Sequence, residues 1–450
     1  ADPMLDATMP DGSRVQMTLS TEVTTKGSTF TIRKFREDPF TPPDLIALNT
    51  MSNEMLAYFW LAVENQVNAL IAGGTASGKT TVLNALSLFI PPEAKIVSIE
   101  ETREINLPHP NWIPGVARSG FGQKIEEKSI GQIDMYDLMK AALRQRPEYI
   151  LVGEIRGKEA YVLFQAMATG HATYSTVHAD SAKTLVHRLE GKPINIPRIM
   201  MRALDIICIQ ITTRLKGKRV RRTKQVIEII DIDPTTKEIL TNEVFHWDPV
   251  EDKHNYTGKS YILEGIRARW DMNKDEIAEE IRNRAEILDW MKENNVRKYE
   301  EVGKVVSRYA EHPQEFMKMI KDSSSKKPAL EIKNSVKKEK KQEEQQKKLE
   351  AEKEIQKNKG EISDLSEVAS DENKGAKPDI ELNRNKNEVD PFEQFKSIDE
   401  KTAWVLYENG YKTIEDLRQI TVKDLKKIKE IKNKKAKKIV KELKEKDIIK

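Results

Sequence analysis

The chain has 450 residues, of which 38% are hydrophobic and 33% charged, room for about three domains and a substantial core. Lysine plus arginine (76) nearly balance aspartate plus glutamate (72), so net charge does not make the whole chain a polyanion binder. One cysteine, Cys208, excludes an intrachain disulfide framework and a cysteine zinc site, and fits a reducing cytoplasmic compartment; no apolar run approaches the roughly 18 residues of a membrane span.

Residues 14–36 alternate polar and apolar, which predicts antiparallel strands. They fall in a small, β-rich N-terminal α+β domain that, with its linker, is assigned to residues 1–50. From 51 to 320, buried-strand patterns at 68–72, 95–99, 149–152, 173–177 and 206–211 alternate with helical patterns at 80–89, 135–146 and 158–169. Continuous apolar strands separated by helices predict an α/β fold with a largely parallel sheet covered on both faces. Residues 321–390 contain no aromatic residue and no methionine, too little apolar surface to offset ordering entropy, and are read as a disordered, charged linker. Its lysine- and glutamate-rich middle, 333–359, is read as solvated helix in part. Residues 391–450 form a compact basic module.

The chemistry starts at Gly73-Gly74-Thr75-Ala76-Ser77-Gly78-Lys79-Thr80-Thr81, which satisfies the G-x-x-x-x-G-K-[ST] pattern between a strand and a helix. Such a loop wraps backbone N–H groups around phosphate oxygens, and the helix start adds partial positive charge. Lys79 is expected to reach the β- and γ-phosphates of ATP, and Thr80 to offer its hydroxyl to Mg²⁺. A metal-side carboxylate is expected at the end of a neighbouring strand, and Tyr149-Ile-Leu-Val-Gly-Glu154 supplies Glu154. Hydrolysis also needs a carboxylate to deprotonate the attacking water. Glu100 or Glu101, at the end of the strand 95–99, is placed for it, and adjacent residues on a strand face opposite ways, so one of them should serve. His171 and His178 bracket the strand 173–177 and are read as neutral sensors of phosphate, without the third ligand a zinc site would need. Charge developing on the γ-phosphoryl group calls for cations: Arg33 or Arg36 from the N-terminal domain on closure, with Arg103 and Arg156 beside the acidic motifs.

Taken in order, these four elements resemble the phosphate loop, Asp box, metal-side strand and His box of the secretion superfamily ATPases, the motors of type II and type IV secretion, pili and archaella. Asp11-Gly-Ser-Arg14, Thr31-Ile-Arg-Lys-Phe-Arg36, Leu143-Arg-Gln-Arg-Pro147, Phe245-His-Trp-Asp248 and Gly258-Lys-Ser-Tyr261 are similar to the archaeal branch. The resemblance covers roughly residues 4–320. It implies a RecA-like ATPase core with a C-terminal helical part over 51–320, an N-terminal domain on a mobile linker, and a homohexameric ring. It further implies a cytoplasmic protein, peripheral at the membrane, whose nucleotide-driven closure pushes on a polytopic inner-membrane platform protein. The family usually carries Glu-Asp where this chain has Glu100-Glu101, and by position the catalytic role goes to Glu100. The bacterial tetracysteine element is absent. Members carry sequence ahead of the stretch beginning at Leu5, so the N-terminal domain here is expected to be partial.

The tail looks like a pair of helix-hairpin-helix units over 397–417 and 420–443, with Ala436 and Ile439 on the packed face. Residues 423–450 hold 13 lysines against 5 acids, a net +8. Such modules commonly grip DNA, and the charge favours a polyanion. Yet Ile428-Lys-Glu-Ile-Lys-Asn433 lacks the glycines that let a hairpin backbone approach phosphate. Two functions therefore compete: a secretion or filament-assembly motor, and a nucleic-acid translocating or remodelling ATPase. A nucleotide-dependent scaffold with negligible turnover is the third.

Overall fold

The computed structural model describes residues 3–118, 121–125, 128–322 and 328–342, and, towards the C-terminus, 395, 397–408, 411, 416–417, 420–425, 428, 431 and 433–445. The chain divides into two compact units, Ala1–Glu350 and Ala351–Lys450.

In the first unit, β1 (Met4–Thr8), β2 (Arg14–Thr18) and β3 (Thr29–Arg33) form an antiparallel sheet. Pairing sets Leu5, Met17 and Phe30 in one row, and Thr8, Arg14 and Arg33 in another, one residue out of phase. Period-two alternation therefore gives this sheet one apolar face and one polar face carrying both arginines.

The helix Pro42–Ala47, capped by Thr41 and Asp44, follows. Its Leu45 is buried in the larger core, and Asp44 pairs with Arg297 at 2.9 Å. This helix, assigned by composition to the N-terminal domain, is therefore packed onto the larger fold.

That fold is built on β4 (Ala69–Gly73), β5 (Ile96–Glu100), β6 (Trp112–Val116), β9 (Tyr149–Val152), β10 (Ala172–Val177), β11 (Ile206–Leu215), β12 (Lys218–Ile232), β13 (Ile239–Asp248) and β14 (Lys253–Tyr256). The hairpin of β7 (Phe121–Ile125) and β8 (Lys128–Ile130) stands apart. Among the described residues the sheet is nine-stranded, in the order β14-β13-β12-β11-β4-β10-β9-β5-β6. Strands β11, β4, β10, β9, β5 and β6 run parallel, and β12 to β14 extend the sheet antiparallel. Alternation divides the strands between two cores: Ala69 and Ile71 face one, Leu70 and Ala72 the other. The helices Asn53–Glu64, Lys79–Ser87, Lys274–Glu293 and Tyr299–Glu311 cover the first; Met135–Arg144, Glu159–Ala168 and Ala182–Glu190 cover the second. The expected α/β architecture, a parallel-rich sheet buried on both sides, is what the chain adopts.

The reading of 321–390 as linker starts too early. Residues 328–342 are helical, and Ala329, Ile332 and Val336 are buried. Spacings of three and four residues put these on one helical face, a single heptad step that Leu349 and Ile355 do not continue. Lys304 pairs with Glu339 and Lys340 with Glu300, so the charges that made the segment look solvated hold it in place. Residues 321 and 322 end the helix Pro313–Asp322, and 323–327 and 343–390 lie outside the described residues.

The C-terminal unit has its own core, in which Leu406, Leu417, Leu425, Ala436, Ile439 and Leu443 are buried. Its helices include Glu400–Glu408, Val422–Leu425 and Asn433–Glu445.

Candidate active site

Parallel pairing decides which residues meet. Because β4, β10, β9 and β5 point the same way, their carboxyl ends share one edge of the sheet, where ligands bind in open α/β folds. The phosphate loop follows β4, His178 follows β10, Glu154 follows β9, and Glu100 closes β5. They surround a cleft of about 420 Å³ whose walls also include Lys79, Thr80, Arg14, Arg33, Arg156 and Arg221.

The loop is shaped by close approach. A Cβ on Gly73 would sit 2.4 Å from the Gln210 carbonyl oxygen, and Gly78 has φ +94°, the left-handed region. Gly78 is the N-cap of the helix Lys79–Ser87 and offers no side chain to its first N–H groups. Those donors, with the positive end of the helix, fit a phosphate. Lys79 Nζ lies 3.0 Å from the Gly74 carbonyl and 3.5 Å from His178 Nδ1. On the far side of the ring, His178 Nε2 is 3.1 Å from Glu154 Oε1. Burial holds the His178 pKa below its usual value, against the pull of Glu154. The neutral Nε2–H tautomer satisfies both contacts, because Nδ1 then accepts from the ammonium group.

Glu100 differs sharply from its neighbour. It is 2% exposed, and its Oε1 accepts the Glu104 and Ile105 N–H groups at 2.9 and 3.1 Å. Its Oε2 is buried without a hydrogen-bond partner. Desolvation raises its pKa from the ordinary 4.5 to about 7. Gly153 makes room, since a Cβ there would lie 3.3 Å from Glu100 Cγ. Glu101 is exposed and tied to Arg156. The two neighbours thus differ in environment: Glu100 is buried with a raised pKa, and Glu101 is exposed and ion-paired.

Three of the expected residues, His171, Arg36 and Arg103, do not line this cleft. His171 precedes β10 at the amino end of the strand, hydrogen-bonded to Thr169, on the edge opposite the cleft. Arg36 Nε donates to the Asp38 carbonyl and its guanidinium lies 3.9 Å above the Phe40 ring. Arg103 bonds Asn106. Both arginines line an adjoining recess with Thr80, Thr81 and Asn84, one step from the main cleft. Arg33 does reach the cleft, 2.7 Å from Glu104, and is joined by Arg14, directly opposite it in the β2–β3 pairing. Pairing 14–18 with 29–33 was readable from alternation and would have put Arg14 beside Arg33. Nothing in the sequence marks Arg221, which reaches the loop from β12.

Among the described residues no group of three or more metal-ligating side chains is preformed. Mg²⁺ does not require one, because it usually takes one or two protein oxygens and completes its shell with substrate phosphates and water. Thr80 and Glu154, both on the cleft wall, are suited to that share.

Residues 1–318 match the model of the family described as "Type II/IV secretion system protein". The chain belongs to that family. Residues 391–445 match a second model, a SAM-like helix-hairpin-helix tandem. The chain is 47% identical over 271 residues to the uncharacterized protein MJ1287 of Methanocaldococcus jannaschii, covering 60% of this chain and 98% of that one. It is 34% identical over 221 residues to the type IV secretion system protein PtlH of Bordetella pertussis, covering 44% and 64%. Its fold is also similar to the VirB11 ATPase of the Brucella suis type IV secretion system, at 25% identity and a TM-score of 0.32, covering 52% of this chain and 78% of that one. Among its described residues no helix is long and apolar enough to cross a membrane.

Proposed function

We propose that this chain is an ATP-hydrolysing motor that works as a homohexameric ring at the cytoplasmic membrane, powering protein secretion or assembly of a pilus-like filament against a platform membrane protein. The observation that carries the reading is Glu100, a buried carboxyl with one oxygen unbonded, among the residues that line the same cleft as the phosphate loop. Glu100 takes the proton from the attacking water, at a pKa near working pH. Lys79 and the first N–H groups of the helix Lys79–Ser87 hold the phosphates. Arg14 and Arg33, brought from the N-terminal sheet, offset charge that develops on the γ-phosphoryl group. His178 fixes Glu154 and senses the charge on Lys79. When bound, Mg²⁺ would be held by Thr80 and Glu154 and would neutralise phosphate charge.

Steady-state phosphate release, with particle mass measured in parallel, tests this reading. Expected are rings of six that turn over ATP, Lys79→Ala that fails to bind nucleotide, and Glu100→Gln that binds without turnover. A wild-type chain that binds ATP yet releases no phosphate, with or without membranes, would leave only a scaffold.

The helix-hairpin-helix match favours a second reading, a motor acting on nucleic acid. It requires duplex or single-stranded DNA to raise turnover, an effect that falls steeply with salt. Turnover raised by membranes carrying the platform protein and indifferent to DNA excludes it.

A further inference from the structure

The hairpin of β11 and β12 runs past the end of β4 and leans on the phosphate loop. Thr212 Oγ1 and Arg221 Nε both donate to the Ala76 carbonyl oxygen, at 3.1 and 3.0 Å. Ala76 is held at φ +59°, the left-handed region that a residue with a Cβ rarely occupies. The stem of Arg221 packs where a Cβ on Gly78 would lie, 3.2 Å from its Cδ.

Arg221 is exposed and lines the cleft, and its one recorded bond uses Nε. Its neighbour Arg222 points the other way, buried, bonded to both Asp252 oxygens and to the Leu48 carbonyl. That anchor makes the base of the hairpin stiff.

On the face that carries Thr212 and Arg221, the next pair outward is Arg214 directly opposite Arg219. Like charges across an antiparallel pair are unfavourable. No acidic residue occurs between Asp205 and Glu228 to relieve them. Among the described residues Arg214, Arg219 and Arg221 form no ion pair.

From this we infer that Arg221 is a phosphate ligand supplied by the same chain: Nε fixes the loop apex while the two terminal nitrogens take a phosphate oxygen of a nucleoside diphosphate or triphosphate over Gly78. Arg214 and Arg219 add positive potential behind it. The inference rests on the phosphate-loop reading above and adds a ligand that the loop pattern does not contain.

Titration calorimetry with Mg-ADP and with adenosine separates a phosphate ligand from a loop clamp. Arg221→Ala is expected to weaken ADP about 10- to 100-fold, the range for a hydrogen bond to a charged group, and to leave adenosine unchanged. Thr212→Val removes the other donor to Ala76 without changing charge, and is expected to cost about fivefold or less. Equal losses in the two variants, or a loss of adenosine affinity equal to that of ADP, would reduce Arg221 to a clamp and overturn the inference. So would unchanged ADP affinity in Arg221→Ala while Lys79→Ala abolishes it. ADP binding indifferent to Lys79→Ala would instead sink the phosphate-loop reading itself.

Discussion

His178 Nε2 donates to Glu154 Oε1 across 3.1 Å while its Nδ1 faces Lys79 Nζ at 3.5 Å, so one neutral ring bridges Lys79 and Glu154. The bridge works in one protonation state. A protonated ring would present N–H to an ammonium group and break the contact with Lys79. Desolvation, Lys79 and Arg188 all push the His178 pKa down, and Glu154 alone among the named causes opposes them.

His178→Ala should therefore lower turnover by an order of magnitude or more, through a misplaced Glu154 and Lys79. His171→Ala should leave turnover unchanged, because that ring sits at the other end of β10. Steady-state rates for the two variants, side by side, check the assignment. Equal losses would mean that both histidines act on the nucleotide.

Glu100 ties activity and stability to pH in opposite directions. Its carboxyl holds a proton more tightly folded than unfolded, with a pKa raised to about 7 from 4.5. Hydrolysis should rise through about pH 7 as the base ionises, then level off. Ionising the buried group costs stability, a cost that develops between about pH 4.5 and 7 and is complete above that window. Glu100→Gln should remove it. At pH 8 the variant is expected to be about 3 kcal/mol more stable than the wild type, with the gap closing towards pH 4.5. It should also be slower by a factor of about 10² to 10⁴. Denaturant unfolding at the two pH values measures the first and phosphate release the second; a variant less stable at pH 8 would mean that the carboxylate is compensated in the fold.

Much of this was legible in the sequence, for a physical reason. Continuous apolar strands announce a parallel sheet, and a parallel sheet forces residues that follow its strands onto one edge. Lys79, Glu100 and Glu154 could be placed from that alone. The same logic separates the histidines, since His171 precedes its strand and His178 follows it. Position favoured Glu100 over Glu101, but the contrast in their burial could not be read from alternation on a strand. Arg221 was invisible, because its position depends on how far the β11–β12 hairpin overhangs β4. Residues 328–342 were misread because their apolar positions are few, and what holds them is a groove made elsewhere in the chain.

The arginines of the N-terminal sheet carry a prediction about geometry. Arg14 and Arg33 line the cleft of their own chain, and Arg33 pairs with Glu104 of that chain. An Arg14→Ala/Arg33→Ala double variant should lose roughly 10²-fold in turnover, typical for removal of charge that stabilises a transition state. Mixing it with Lys79→Ala chains should restore nothing, because each mixed ring still lacks a complete site within one chain. Recovery on mixing would place the arginines at a neighbour's nucleotide. Arg36→Ala, which removes a cation stacked on Phe40 next to the recess, should cost less than the double variant.

Where the first unit ends can be tested by truncation. Ala329, Ile332 and Val336 are 3%, 4% and 4% exposed, and Lys333 Nζ donates to the Asn294 carbonyl at 2.9 Å. Ala329 and Ile332 belong to the core cluster that holds Leu88, Ile90, Leu107 and Val306, and Val336 lines a groove with the same four residues. A chain stopped after Asp322 exposes that groove and should lose about 3–6 kcal/mol, the scale for re-exposing one isoleucine and one valine. A chain stopped after Gln345 keeps the helix and should match the full chain in thermal midpoint and basal turnover. The C-terminal unit, with its separate core, is absent from both, so the contrast isolates the helix. Identical midpoints for the two truncations would show that 328–342 adds nothing to the ATPase fold. A loss of turnover in the chain stopped after Gln345 would show that the motor depends on the C-terminal unit.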